Sequence, residues 1–140
     1  MIIVDTNVVS ELMKPSPSAR VLDWLGEQPG RELCTSAITV AEVLYGIERL
    51  PPGRRREDLR TAATGVFQAF AEQVLAFDND AAGEYALLVS HLERLGVPAD
   101  GFDAQIAAIC RVRGATLATR NVSDFRETGI SIINPWDERG

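Results

Sequence analysis

The chain has 140 residues, 46% of them hydrophobic and 24% charged, which predicts one globular domain over residues 1–140 with a core that needs no disulfide or metal staple. Its net charge of −6, mostly from the second half, argues against a protein that grips nucleic acid through bulk basicity. Cys34 and Cys110 form no CxxC pattern, Asp5 interrupts the apolar start, and apolar runs reach only about five residues against the roughly 20 of a spanning helix; the expectation is a reducing cytoplasm and no membrane.

Ile2-Ile3-Val4 runs straight into Asp5, Thr6 and Asn7. Such a short apolar run reads as a buried strand of a parallel sheet, and ligands of α/β proteins collect at the carboxyl ends of such strands. The plainer reading is that Asp5 caps the helix predicted over residues 8–13. Lys14-Pro15-Ser16-Pro17 breaks that helix, and Ser18 caps a second one to about residue 27. Pro29-Gly30 ends it, and a short strand follows over residues 32–36.

A helix is predicted over residues 39–50, with Val40, Val43, Leu44, Ile47 and Leu50 on one stripe. Pro51-Pro52-Gly53 stops it, and Arg54-Arg55-Arg56 opens another helix to about residue 72. Residues 74–77 read as a strand. Asp78-Asn79-Asp80 starts a helix through Leu95, with Gly96 as its C′ residue. Pro98-Ala99-Asp100 leads into a helix over Gly101–Arg113, Asp100 being its N-cap, and Gly114 terminates it. Residues 115–119 form a strand, a polar turn occupies residues 120–123, and residues 130–133 form a last strand. This alternation predicts an α/β/α sandwich around a mostly parallel sheet.

Besides Asp5, three acids stand at element boundaries: Glu42, Asp103 and Asp124. Each has a plain structural explanation. Glu42 completes a capping box with Thr39, Asp103 complements a helix dipole in a first turn, and Asp124 belongs to a capped turn. Taken singly, those explanations are the better ones. Taken together, the acids lie at strand ends and at the helix starts that face them. Four carboxylates brought to one place repel one another unless cations intervene. Hard divalent ions such as Mg²⁺ or Mn²⁺, which prefer oxygen ligands, relieve that repulsion and suit phosphoryl chemistry.

The succession "IIVDTNVVSEL", "TSAITVAEVLYGIERL" and "FDAQIAAICRVRGATLATRNVSDF" resembles the PIN-domain family, in particular the VapC-type toxins of bacterial toxin–antitoxin pairs and their FitB-like branch. The resemblance covers nearly the whole chain. It implies a PIN-like α/β/α sandwich and an acidic quartet of Asp5, Glu42, Asp103 and Asp124, with Thr6, Asn7, Thr119 and Asn121 lining or supporting it. It also implies a Mg²⁺- or Mn²⁺-dependent endoribonuclease, in which Asp5 and Asp103 hold the main ion and Glu42 and Asp124 complete the site. Cleavage would leave a 5′-phosphate and a 3′-hydroxyl. The implied partners are a cognate antitoxin, an RNA substrate and a second copy of the chain, with promoter DNA reached only through the antitoxin. The apolar surface of the helices between residues 18 and 72 would serve dimer and antitoxin contacts. Arg120, beside the implied site, is the candidate for substrate contact.

Other residues carry plainer readings. His91, the only histidine, sits mid-helix away from every acid, which rules out a histidine-pair nuclease. Arg54-Arg55-Arg56 reads first as a solvated helix start, with phosphate contact as the minority view. Trp24 and Trp136 are assigned to core or interface. Asn7, standing two residues after Asp5, argues against a haloacid dehalogenase-type phosphatase. Lys14 as the only lysine argues against a response-regulator receiver, and neither GxGxxG nor GxxxxGK[ST] occurs. The remaining rival is a catalytically quiet PIN-like subunit of a DNA-binding complex with its antitoxin.

Overall fold

The computed structural model describes residues 1–98 and 101–137. Strand β1 (Ile2–Val4) lies at the centre of a five-stranded sheet. It pairs with β2 (Leu33–Ser36) on one side and β4 (Thr116–Ala118) on the other. Beyond β2 lies β3 (Val74–Leu75), and beyond β4 lies β5 (Ser131–Ile133). The order is β3-β2-β1-β4-β5 and every pairing is parallel. The order therefore reverses at β1 and β4, whose carboxyl ends stand side by side, and ligands of open parallel sheets bind at such switch points.

Among the described residues six α-helices cover the sheet: α1 (Thr6–Leu12), α2 (Ala19–Glu27), α3 (Ala37–Glu48), α4 (Arg54–Phe70), α5 (Asn79–Arg94) and α6 (Gly101–Arg113). The strands are apolar on both faces because both faces are covered. Ile3 and Leu117 pack with Leu88, Ile106 and Ile109 from α5 and α6. Their neighbours Val4 and Ala118 point the other way and pack with Val8, Val21, Trp24 and Val43 from the first three helices. Each such aliphatic side chain, fully buried, stabilises the fold by about 1.5–3 kcal/mol. Cys34 and Cys110 are buried, unpaired thiols, and burial pushes Cys110 up to about 12.

Local chemistry explains most boundaries. Ser18 Oγ accepts the Val21 N–H at 3.4 Å, so Ser18 is the N-cap the sequence assigns, and Asp78 Oδ1 accepts the Ala81 N–H at 2.9 Å, so Asp78 caps the helix that its triplet starts. Gly96, just past α5, takes the left-handed φ of +71° expected of a C′ residue. The start of α3 differs from expectation. Ser36 leaves β2 in an extended conformation, its Oγ accepts the Thr39 N–H at 3.1 Å, and the helix begins at Ala37. Two hydroxyls competed for the cap, and the one at the strand end holds it. The capping box of Thr39 with Glu42 does not form, which leaves Glu42 for the cavity described below.

Three other boundaries move. Helix α1 begins at Thr6 rather than residue 8, directly on Asp5. Helix α4 ends at Phe70, where a 3₁₀ turn (Ala71–Gln73) takes over, and β3 keeps two of its four expected residues. After the polar turn the chain forms a 3₁₀ helix (Val122–Thr128), which the sequence reading left unassigned. It closes on Gly129 at φ +76°, a conformation that costs an L-residue roughly 1–2 kcal/mol. The N-cap assigned to Asp100 lies outside the described residues. Among the described residues no helix is long and apolar enough to cross a membrane.

Candidate functional site

Asp5 follows β1 at the switch point and is only 4% exposed. Its backbone N–H donates to the Ala118 carbonyl at 2.9 Å, carrying the β1–β4 ladder one step past the strand. Three groups then hold its carboxylate. The Thr6 N–H donates to Oδ1 at 2.8 Å, the Thr119 hydroxyl to Oδ2 at 2.8 Å, and the Asn7 amide approaches Oδ2 at 3.4 Å. Burial pushes the Asp5 carboxyl above the ordinary aspartate range. The Thr6 and Thr119 bonds pull it back, and the charge of Asp124 pushes it further up.

Thr119 links the two halves of the site. While donating to Asp5 it accepts from Asn7 Nδ2 and from the Asn121 N–H, both at 3.1 Å. Its one proton and two lone pairs are thereby all used. Asn7 Oδ1 accepts the Arg120 N–H at 3.1 Å, which ties the start of α1 to the chain leaving β4. On the other side of Asp5, Thr6 Oγ1 donates to Glu42 Oε1 at 2.9 Å and lies 3.2 Å from the Thr39 hydroxyl. Glu42 is thus oriented by a residue 36 positions earlier.

A cavity of about 400 Å³ opens over this network. Asp5, Glu42 and Asp103 line it together with Asn7, Arg120 and Asn121. Asp124 does not. It is exposed on the 3₁₀ helix and lines a neighbouring cavity of about 390 Å³, to which Asp103 also contributes. The structure thus brings three of the four acids to one cavity and places the fourth next door, with Asp103 between. The donors offered by the carboxylates, Asn7 and Asn121 are oxygens without histidine or thiolate, a set that fits a hard divalent ion. Among the described residues no three acids, cysteines or histidines stand close enough to enclose an ion by themselves. Waters would have to complete the shell, as Mg²⁺ sites commonly allow.

Four lining residues were not assigned to the site by the sequence reading: Ser10, Glu11, Lys14 and Trp136. Glu11 is buried, and its carboxylate accepts from Lys14 Nζ and from the Ser18 N–H, both at 3.0 Å. The Lys14 and Ser18 bonds hold its carboxyl below the usual glutamate range. It fastens the break between α1 and α2, a role a helical-face acid does not announce. Trp24 is buried in the core, as assigned. Trp136 packs on the same apolar cluster and also lines the acidic cavity, with the Arg120 guanidinium 5.0 Å from its ring centroid. Arg56 pairs with Glu48 across the α3–α4 boundary, and His91 is exposed on α5.

Residues 2–130 match the PIN domain family. The chain belongs to that family. Its relatives include the VapC ribonuclease Y4jK of Sinorhizobium fredii, 42% identical over 98% of this chain and 99% of that protein. Toxin FitB of Neisseria gonorrhoeae is 34% identical over 99% of this chain and 100% of its own. Among solved structures, FitAB bound to the IR36 DNA fragment superposes with a TM-score of 0.88 at 34% identity, covering 98% of this chain and 96% of that one. The five-stranded parallel sheet and its flanking helices are the fold of that neighbour.

Proposed function

We propose that this PIN domain is a divalent-metal-dependent endoribonuclease and the toxin of a toxin–antitoxin pair, with the whole chain acting as one domain in the cytoplasm. The observation that carries the reading is a buried aspartate at the switch point of the sheet, fixed by three donors and sharing its cavity with Glu42 and Asp103. The names of the relatives, a VapC ribonuclease and a toxin, support the same class.

Asp5 and Asp103 would hold Mg²⁺ or Mn²⁺, with Glu42 beside them and Asp124 reaching the ion from the adjoining cavity. When bound, such an ion lowers the pKa of water and offsets charge on phosphoryl oxygens. The residues of this chain supply position. Thr119 and the Thr6 N–H keep Asp5 aimed into the cavity, Thr6 Oγ1 sets Glu42, and Asn7 and Asn121 brace the two strand ends. Arg120 at the rim would take substrate phosphate. Neither His91 nor the buried thiols have a part.

Partner contact has its own surface. A cavity of about 700 Å³, walled by Met13, Val43, Ile47 and Leu59, shares Thr6 and Glu42 with the acidic one. An antitoxin segment laid along it would reach the acids and silence them. DNA binding belongs to the complex rather than to this acidic chain, in keeping with the DNA-bound FitAB neighbour.

Partner-free protein incubated with total cellular RNA provides the test. Cleavage that needs Mg²⁺ or Mn²⁺, stops with a chelator, leaves 5′-phosphate ends and is lost in Asp103→Asn is the expected result. Metal-independent cleavage would overturn the metal site, and no cleavage while the complex still binds DNA would leave the regulatory-subunit reading instead.

A further inference from the structure

We propose that Trp136 is a positioning residue that holds the Arg120 guanidinium at the rim of the acidic cavity, where Arg120 grips an RNA phosphate beside the one cleaved. The inference rests on the nuclease reading above. Both residues line the cavity, and the guanidinium carbon lies 5.0 Å from the indole centroid. Neither partner is loosely held. The Arg120 N–H is fixed to Asn7 Oδ1, and the same Asn7 side chain approaches Asp5, so one amide ties the arginine backbone to the buried acid. Trp136 is fixed at both backbone ends. Its N–H donates to Asn134 Oδ1 at 2.9 Å and its carbonyl accepts from Arg20 Nη1 at 3.1 Å. Its ring rests on the apolar cluster beneath the sheet.

The chemistry follows from that packing. A free arginine side chain loses rotamer entropy when it grips a ligand, and an indole face removes part of that freedom in advance. A guanidinium held over an indole ring is attracted by the ring face, and its N–H donors that do not point at the ring remain available to phosphate oxygens. Glu11, one of the acids of the cavity and one on which the Arg120 charge acts, already accepts hydrogen bonds from Lys14 and the Ser18 N–H. Carboxylates on the floor and an arginine on the rim divide the labour: the floor suits a cation at the reacting phosphate, and the rim suits a neighbouring phosphate.

The test measures binding of a fluorescein-labelled oligouridylate to partner-free protein in Ca²⁺ across a range of salt. Steady-state cleavage of total cellular RNA in Mg²⁺ and thermal melting accompany it. Arg120→Ala is expected to weaken binding roughly three- to tenfold and to lower the slope of log K against log salt by about one. Trp136→Ala should reproduce most of the affinity loss, with the effect mainly in KM, and Trp136→Phe should restore it. In a Trp24→Phe background, the emission of Trp136 should change on RNA addition. An unchanged affinity and salt slope in Arg120→Ala, with cleavage and KM intact, overturns this inference alone. A Trp136→Phe protein that melts normally but behaves like Trp136→Ala also overturns it. A wild type that neither binds nor cuts RNA overturns it together with the nuclease reading.

Discussion

The Thr119 hydroxyl donates to Asp5 Oδ2 at 2.8 Å although 114 positions separate the two residues. This bond spans the switch point of the sheet. Residues that orient metal-site ligands typically cost 10–100-fold in metal affinity or activity when removed. Thr119→Val should therefore weaken Mn²⁺ binding and cleavage by about that factor, whereas Thr119→Ser, which keeps the hydroxyl, should stay near wild type. Titration with Mn²⁺ followed by an RNA cleavage assay reads both. Thr6→Val should act similarly through Glu42.

Asp5 also makes stability depend on pH in an identifiable direction. Burial raises its folded-state pKa above the unfolded value, so the folded protein holds this proton to higher pH. The associated stability is present below the unfolded pKa and is lost as pH rises through the folded one. Without metal, the wild type should lose stability relative to Asp5→Asn as pH climbs through the raised Asp5 pKa, and the gap should level off above it. Adding a divalent ion at about 100 times its Kd should return about 2.7 kcal/mol to the wild type and nothing to the variant. Melting curves with and without Mn²⁺ check both statements.

Glu11 has the opposite sign. Its folded pKa is depressed by Lys14 and by the Ser18 N–H, so its contribution is present above the unfolded pKa and fades as pH falls through the folded one. Glu11→Gln should destabilise the protein at neutral pH, and the difference from wild type should close under acid conditions. Urea unfolding at two pH values measures it. Equal destabilisation at both would show that shape rather than charge matters at this position.

Phe125 is 1% exposed and anchors the 3₁₀ helix that carries Asp124. Phe125→Ala should cost about 3–5 kcal/mol. Phe125→Leu, which fills more of the space, should cost less and should keep cleavage if Asp124 needs only its anchor. Comparing both with Asp124→Asn separates loss of the fold from loss of the acid.

Much of this molecule was legible in its sequence, and the reasons are local. Three β-branched or aliphatic residues before Asp5 can do little else than form a buried strand, and the caps Ser18, Asp78 and Gly96 act where their chemistry places them. Asp5 combines both of its readings, since it starts α1 and also faces the cavity. What stayed hidden depends on the tertiary arrangement. Ser36 and Thr39 are equally able caps, and only the exit angle of β2 chooses between them. Glu11 looks like any helical acid until the Lys14–Pro17 break folds Ser18 back onto it. Trp136 reads as apolar filler because nothing nearby in sequence reveals the arginine lying over it. Asp124 falls beside rather than within the first cavity because the polar turn continues into a 3₁₀ helix, whose tighter winding no hydrophobic period marks.

The placement of β1 between β2 and β4 sets a timetable for synthesis. The strand made first has one edge that stays open until residues 116–118 arrive. Asp5 lacks its Thr119 donor, and the cavity lacks Arg120 and Trp136, until residues 119–136 have left the ribosome. A growing chain therefore carries its buried acid before it carries the groups that orient it. The acidic cavity is complete only once β4 and the segment through Trp136 have joined the strand that was made first.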